Sequence, residues 1–181
     1  RFNINNIEHI LNAAFPPSAK NILNVVISSI AQHNLYSKRG ILSSIIPNVM
    51  DFENSPDYAL DKYSSTFRES FGIAEEECIV LQPTRIVRRK KIENAIDLVS
   101  RLNKKACLVI SGSDGDEGND GYLRFIADYA KEQDVKLVLA GNCVNHTRTS
   151  SKDGRRIYNL RDVYLNADLV TYPSSYEGFG N

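Results

Sequence analysis

The chain has 181 residues, of which 42% are apolar, and its 22 lysines and arginines balance 22 aspartates and glutamates. This composition is typical of a globular protein and excludes a disordered or collagen-like chain. No apolar run approaches the roughly 18 residues of a membrane-spanning helix, which excludes a channel. Since the net charge is zero, there is no overall field that would hold the protein on nucleic acid or anionic lipid, and any basic site must be local.

The cysteines and the two ends of the chain indicate its context. Cys78, Cys107 and Cys143 are too few and too far apart for a disulfide framework or a zinc site. We interpret them as buried thiols in a reducing cytoplasm. The chain begins at Arg1 without methionine and stops at Asn181 after a glycine-rich turn. We therefore expect a fragment of a longer cytoplasmic protein.

Residues 1–50 are predicted to form a different unit from the rest of the chain. Their elements are expected in this order: a helix with isoleucines on one face, a break at the prolines 16 and 17, a strand over 24–28, a helix ending at 38–40, and a strand over 44–46. Residues 51–56 have the composition of a linker. We therefore predict a boundary there, with a second domain over 51–181.

The second domain alternates strands and helices. Four β-branched runs predict strands over 78–82, 107–111, 135–140 and 168–172. Apolar spacing predicts helices over 92–102 and 122–130. This alternation predicts an α/β fold, a Rossmann-like parallel sheet with helices on both faces. Because ligands bind beyond the carboxyl ends of such strands, four segments are expected to carry the chemistry: 83–91, 112–120, 141–156 and 173–181.

A basic turn, residues 84–91 (TRIVRRKK), follows the first of these strands and opens a helix. Its cations and the backbone N–H groups of the helix start are predicted to face the same cleft, a combination that attracts phosphate. A solvated basic surface is the alternative. Nucleic acid is disfavoured because no aromatic residues interleave with these cations.

The segment 173–181 (PSSYEGFGN) follows the last predicted strand. Its glycines allow the backbone to approach a ligand closely, and the Glu177 carboxylate can accept hydrogen bonds from sugar hydroxyls. An ordinary strand-to-helix turn, with Glu177 near the positive end of the helix, is the alternative.

An acidic loop, residues 112–121, lies between the second predicted strand and the next helix. Counted from Asp114, position twelve of a calcium-binding loop is Phe125 where an EF-hand needs glutamate. The glycine spacing also differs from that of a dinucleotide-binding loop. We predict a flexible loop near the substrate cleft, with a weak metal site or acceptor recognition as alternatives. The three histidines lack metal-ligand spacing, so no metal site is assigned.

Three stretches together resemble a known family. They are Arg85 and Lys90 in the basic turn, residues 167–181 (ADLVTYPSSYEGFGN), and residues 44–51 (SIIPNVMD). In order and spacing they resemble the retaining glycosyltransferases of family 4, also described as glycosyl transferases group 1, which have the GT-B fold. The resemblance implies that residues 1–50 end the acceptor-side domain, whereas 51–181 form the nucleotide-sugar-binding domain, truncated at its C-terminal end.

The resemblance also implies roles for individual residues. Arg85 and Lys90 would hold the donor diphosphate and stabilise its departure, and Glu177 would orient the transferred sugar. Four backbone positions would line the sugar and phosphate: Gly178, Phe179, Gly180 and Asn181. The family's second glutamate, which grips the ribose, would fall beyond the end of the chain. His146, like the other histidines, is interpreted as a structural or surface residue, and contact of its loop with the nucleotide base is the alternative.

The function implied is that of a mannosyltransferase or glucosyltransferase of carbohydrate biosynthesis. It would move a hexose from a UDP or GDP donor to an acceptor hydroxyl with retention of configuration, without a metal cofactor and without nucleic acid as a partner. A glycoside phosphorylase of the same fold and a non-catalytic nucleotide-sugar-binding scaffold are the alternatives. The isolated chain is expected to be inactive, since the reaction needs the acceptor-side domain. Peripheral membrane contact through that domain is an alternative to a purely cytoplasmic location.

Overall fold

The structure is a computed structural model that describes residues 21–48, 59–113 and 121–175. These residues belong to two compact units, the first containing 21–48 and the second containing the other described ranges. Several predictions lie outside the described residues: the first helix, the linker at 51–56, most of the acidic loop, and the segment from residue 176 onward, including Glu177, Gly178, Phe179, Gly180 and Asn181.

The first unit is a parallel strand–helix–strand. β1 (Asn24–Val26) pairs with β2 (Ser43–Ile45), and α1 (Ser29–Arg39) connects them. The Ser28 side chain accepts the Ala31 N–H at 3.2 Å at the helix start, and Gly40 ends the helix with a φ of 64°. The predicted order of strand, helix and strand is therefore confirmed.

The second unit is built on a four-stranded parallel sheet. Its strands are β3 (Cys78–Gln82), β4 (Ala106–Ile110), β5 (Lys136–Leu139) and β9 (Leu169–Val170), arranged in the order β5-β4-β3-β9. Every residue of β3 is buried, which explains why its sequence is a continuous run without polar alternation. All four predicted strands are present.

Helices cover both faces of this sheet. They are α2 (Phe67–Ser70), α3 (Ile92–Ser100), α4 (Tyr122–Glu132) and α5 (Leu160–Asn166). On one face Ile96 of α3 and Ile126 of α4 belong to one core cluster with Val80. On the other face Phe67 and Val163 join a second cluster. The predicted Rossmann-like α/β architecture is confirmed.

A small three-stranded sheet begins within residues 141–156, one of the segments expected to carry the chemistry. It contains β6 (Val144–Asn145), β7 (Thr149–Ser150) and β8 (Arg156–Asn159). Arg148 lies between β6 and β7, and its guanidinium contacts the buried Asp162 of α5 and the carboxylate of Asp61 at 2.6 Å. The Arg148 guanidinium holds the pKa of the Asp61 carboxyl well below its usual range. This arginine therefore fastens the small sheet to the rest of the second unit.

The cysteines of the central strands serve as small apolar residues. Cys78 and Cys107 are buried in β3 and β4, whereas Cys143 is partly buried. Burial raises the pKa of the Cys107 thiol to about 11. Within the described ranges, no helix is both long and apolar enough to span a bilayer.

Candidate functional site

The strand order identifies the edge of the sheet where a ligand is expected. The chain moves outward from β3 through β4 to β5 and then returns to the other side of β3 as β9. In open α/β sheets, ligands bind at the carboxyl ends of the strands where the order reverses. Here the reversal lies between β3 and β9, which precede the basic turn and residues 171–175.

These two segments contact each other directly. The Arg89 carbonyl accepts hydrogen bonds from the Ser175 backbone N–H at 2.9 Å and from the Ser175 hydroxyl at 3.2 Å. The structure therefore brings together the basic turn and the start of the segment that leads to Glu177. The positions from Glu177 to Asn181 lie outside the described residues, so their predicted roles stay predictions.

A cleft of about 630 Å³ opens at this edge. Its lining comes from four segments: residues 83–85, 111–113, 144–146 and 159–161. Apart from Ser111, which ends the predicted strand over 107–111, the first three lie in segments expected to carry the chemistry. They include His146, for which contact with a base is the alternative interpretation. The fourth, at the start of α5, was missed.

Two glycines allow the loops of the cleft to pack directly on each other. A Cβ atom added to Gly112 would lie 2.3 Å from the Thr84 carbonyl oxygen, and one added to Gly141 would lie 2.4 Å from the Gly112 carbonyl oxygen. The Ile86 N–H also donates to the Ser113 carbonyl at 3.2 Å. The loops after β3, β4 and β5 are therefore layered backbone against backbone, without room for a side chain between them.

The two cations assigned to the diphosphate differ in exposure. Arg85 is exposed and lines the cleft. Lys90 is only 8% exposed and lies in the short 3-10 turn of residues 88–90. The Lys90 carbonyl accepts a hydrogen bond from the Gln82 side-chain amide at 2.9 Å. The turn is thus held from inside the protein while Arg85 extends into the cleft.

The helix that follows the basic turn is capped by another side chain of the protein. Lys91 has a left-handed φ of 50°, and the next N–H, that of Ile92, donates to the Tyr122 hydroxyl at 3.0 Å. The same hydroxyl donates to Glu93 Oε2 at 2.5 Å. Burial, followed by the hydrogen bond to Glu93, raises the pKa of Tyr122. The first N–H group of α3 therefore donates to a side chain of the protein. The sequence predicted that the N–H groups of this helix start face the cleft, and this capping contact was not predicted.

The described lining of the cleft favours an anionic ligand. Two of the lining residues are arginines, Arg85 and Arg161, and the described lining contains no aspartate or glutamate. Arginine presents paired N–H groups that match phosphate oxygens. The polar backbone and side chains at 111–113 and 144–146 supply further hydrogen-bonding groups around these cations.

Comparison with known proteins identifies a family and several relatives. The family model described as glycosyl transferases group 1 matches residues 64–181. The curated protein mannosylglucosylglycerate synthase of Petrotoga mobilis is 38% identical over 195 residues, covering 97% of this chain and 43% of the relative. The synthase of the same name from Thermotoga maritima is 37% identical over 190 residues, covering 95% and 41%. The chain spans less than half the length of the curated relatives it matches.

Comparison with solved structures supports the fold. Anabaena HepE in complex with UDP and glucose superposes with a TM-score of 0.65 at 17% identity, covering 96% of this chain and 43% of HepE. Sucrose-phosphate synthase from Thermosynechococcus elongatus gives a TM-score of 0.59 at 20% identity, covering 96% and 40%. At this level of identity the likeness concerns the fold alone.

Proposed function

Because the chain belongs to the glycosyl transferases group 1 family, we propose that it supplies the nucleotide-sugar-binding part of a hexosyltransferase. The observation that carries the proposal is the meeting of the basic turn with residues 173–175 where the strand order reverses, beside a cleft lined by Arg85. In the full-length protein, residues 51–181 would bind the donor, and residues 1–50 would belong to the acceptor-side domain.

The proposed reaction transfers a hexose from a nucleoside diphosphate to an acceptor hydroxyl with retention of configuration. As the bond between the sugar C1 and the phosphate oxygen breaks, negative charge grows on the leaving phosphate. Arg85 and Lys90 would neutralise that charge, and a preorganised donor of this kind is worth about two to three orders of magnitude in rate. The leaving phosphate would take the acceptor proton in a front-face attack. Because two cations serve the diphosphate, we propose that the transfer needs no metal ion.

The names of the relatives suggest which substrates to test first. Two relatives are named for the synthesis of mannosylglucosylglycerate, and HepE has been solved with UDP-glucose. We propose a UDP or GDP hexose as the donor, mannose or glucose as the sugar, and a sugar-glycerate hydroxyl as the first acceptor to assay. The buried thiols of Cys78 and Cys107 are consistent with the reducing cytoplasm.

Calorimetric titration of the full-length protein with UDP-glucose, GDP-mannose and ADP-glucose tests the proposal. We expect one donor to bind, and we expect Arg85→Ala and Lys90→Ala each to weaken it by roughly 10- to 100-fold, the loss of one hydrogen bond to a charged group. Arg124→Ala is the matched control, because the Arg124 side chain is 89% exposed on α4 and pairs only loosely, at 3.9 Å, with Asp128. Failure of both UDP-glucose and GDP-mannose to bind would contradict the proposal, and so would unchanged affinity in both the Arg85→Ala and the Lys90→Ala variants.

A further inference from the structure

Gln82 is a buried polar residue at the end of the central strand. It is 0% exposed and forms the last residue of β3, where its backbone is in register with Ile110 of β4. The other four residues of β3 are apolar or a thiol. Within the described part of the chain, the Gln82 side-chain oxygen has no hydrogen-bond partner. Since an unpaired buried acceptor is destabilising, packing alone does not explain a glutamine here.

The Gln82 amide contacts both ends of the basic turn. Its Nε2 group donates to the Lys90 carbonyl at 2.9 Å and to the Thr84 hydroxyl at 3.2 Å. Thr84 directly precedes Arg85, so one amide group joins the positions of both proposed phosphate ligands. The orientation of the amide follows from its partner, because the reverse orientation would place its oxygen against the Lys90 carbonyl, another acceptor.

We propose that Gln82 is a positioning residue that sets the separation between Arg85 and Lys90. This inference rests on the proposed function, since it assigns Gln82 to the site where the donor diphosphate would bind. The middle of the turn is held by neighbouring segments, through Ser175 at the Arg89 carbonyl and through the Ser113 carbonyl at the Ile86 N–H. Gln82 instead joins the two ends of the turn from the core. A rigid spacing between two cations favours a ligand with two linked phosphates over a ligand with one.

The inference predicts a specific effect of Gln82→Met in the full-length protein. Methionine has a similar length and removes both amide hydrogen bonds. We expect the Kd for the nucleoside diphosphate, UDP or GDP, to rise about tenfold, whereas the Kd for the corresponding monophosphate changes less than about twofold, since one phosphate does not need two fixed cations. The measured quantity is the ratio of the Kd for the diphosphate to the Kd for the monophosphate. Both constants are determined by calorimetry, and the Tm of each variant is measured alongside them.

A matched control separates positioning from stability. Ile110→Val changes a fully buried residue beside Gln82 in the sheet and removes no hydrogen bond. It should lower the Tm and leave the ratio at its wild-type value. If Gln82→Met does not fold, Thr84→Val decides the question, because it removes the second acceptor of the same amide and should raise the ratio by a smaller factor.

The outcomes distinguish this inference from the proposed function. If the wild-type protein binds neither UDP nor GDP, the proposed function is wrong. If it binds one of them and Gln82→Met keeps the wild-type ratio, the role of Gln82 is overturned while the function stands. When only Thr84→Val folds, an unchanged ratio in that variant overturns the role in the same way.

Discussion

Replacing Gly112 by alanine tests whether the loops of the cleft are layered as closely as the structure indicates. The new Cβ would lie 2.3 Å from the Thr84 carbonyl oxygen and 2.6 Å from the Arg85 backbone nitrogen. Both neighbours are backbone atoms held at the end of β3, so no change of side-chain rotamer relieves the contact. The loop that carries Gly112 and the loop that carries Arg85 must therefore move apart.

The size of this movement gives the expected effects. Ordinary van der Waals contact begins at 3.4 Å, so the two loops must separate by about 1 Å. Overpacking of this kind costs about 1 to 3 kcal/mol, which corresponds to a Tm lower by roughly 2 to 12 °C. Since a displacement of about 1 Å in a binding site can cost up to roughly 100-fold, we expect donor affinity to fall at least tenfold.

Thermal unfolding and calorimetric titration of the same samples measure both effects. Gly72→Ala is the control, because Gly72 has a φ of 59° with nothing within 4 Å of an added Cβ. Its carbonyl accepts a hydrogen bond from Lys136, which begins β5, so it lies at the end of the sheet opposite the cleft. Backbone strain should cost the control about 1 kcal/mol without changing donor affinity. Wild-type Tm and wild-type affinity in Gly112→Ala would refute the layered arrangement.

Three further predictions concern stability and reactivity. Arg148→Met should lower the free energy of unfolding by about 3 kcal/mol. This value is at the lower end of the range for breaking a buried ion pair, because Arg148 is partly exposed. Urea unfolding that shows no such loss would contradict the anchoring role of Arg148. The hydrogen bond from Lys136 holds the pKa of Glu77 below its ordinary 4.5, so the stability it contributes is present above pH 4.5 and is lost as the pH falls through the lower folded-state pKa. Glu77→Gln should therefore flatten the decrease of Tm in that acid range, and an unchanged pH profile would exclude this contribution. In the folded chain a thiol reagent should modify Cys143 first and the cysteines of β3 and β4 only on unfolding, whereas equal labelling rates would contradict their burial.

The central fold was predictable because burial makes its sequence pattern simple. β3 spans 78–82 as predicted, since all five residues are buried and none needs to alternate. β9 is shorter than the predicted 168–172 run. Asp168, the first residue of the predicted run, lies just before β9, and its carboxylate accepts a hydrogen bond from the Ile79 N–H at 2.7 Å. These two residues are far apart in the chain. The polar side chain of Asp168 therefore acts as an anchor just before the strand, which apolar periodicity does not register.

The small sheet and α5 escaped prediction for a different reason. β6 and β7 have two residues each, too few for a period to be recognised. Their position depends on Arg148, whose partners lie 14 and 87 residues away in sequence. The start of α5 did carry a local signal, since Asn159 and Asp162 form a capping box. That signal would have added residues 159–161 to the predicted cleft.

The candidate site was predictable as a set of loops but not as a set of contacts. The rule that ligands bind beyond the carboxyl ends of parallel strands located most of the described cleft. The Tyr122 hydroxyl caps the helix after the basic turn from 30 residues away. Gln82 was predicted only as the last residue of a strand, and nothing in the sequence pattern indicated its hydrogen bond to the Lys90 carbonyl. Both contacts depend on tertiary packing, and no spacing in the chain predicts them.

A net charge of zero does not prevent a cationic cleft, because charges of opposite sign are distributed unevenly over the second unit. Several carboxylates are already paired with cations of the same unit, among them Glu77 with Lys136, Asp162 with Arg148, and Asp168 with Arg68. The described lining of the cleft, in contrast, has arginines and no acidic side chain. Since exposed charges further away than about 8 Å are largely screened at physiological salt, an anion entering the cleft responds mainly to this local set. Raising the salt concentration should therefore weaken nucleoside diphosphate binding more than binding of the uncharged nucleoside. Equal salt dependence of the two ligands, measured by calorimetry, would show that these arginines do not contact the phosphates.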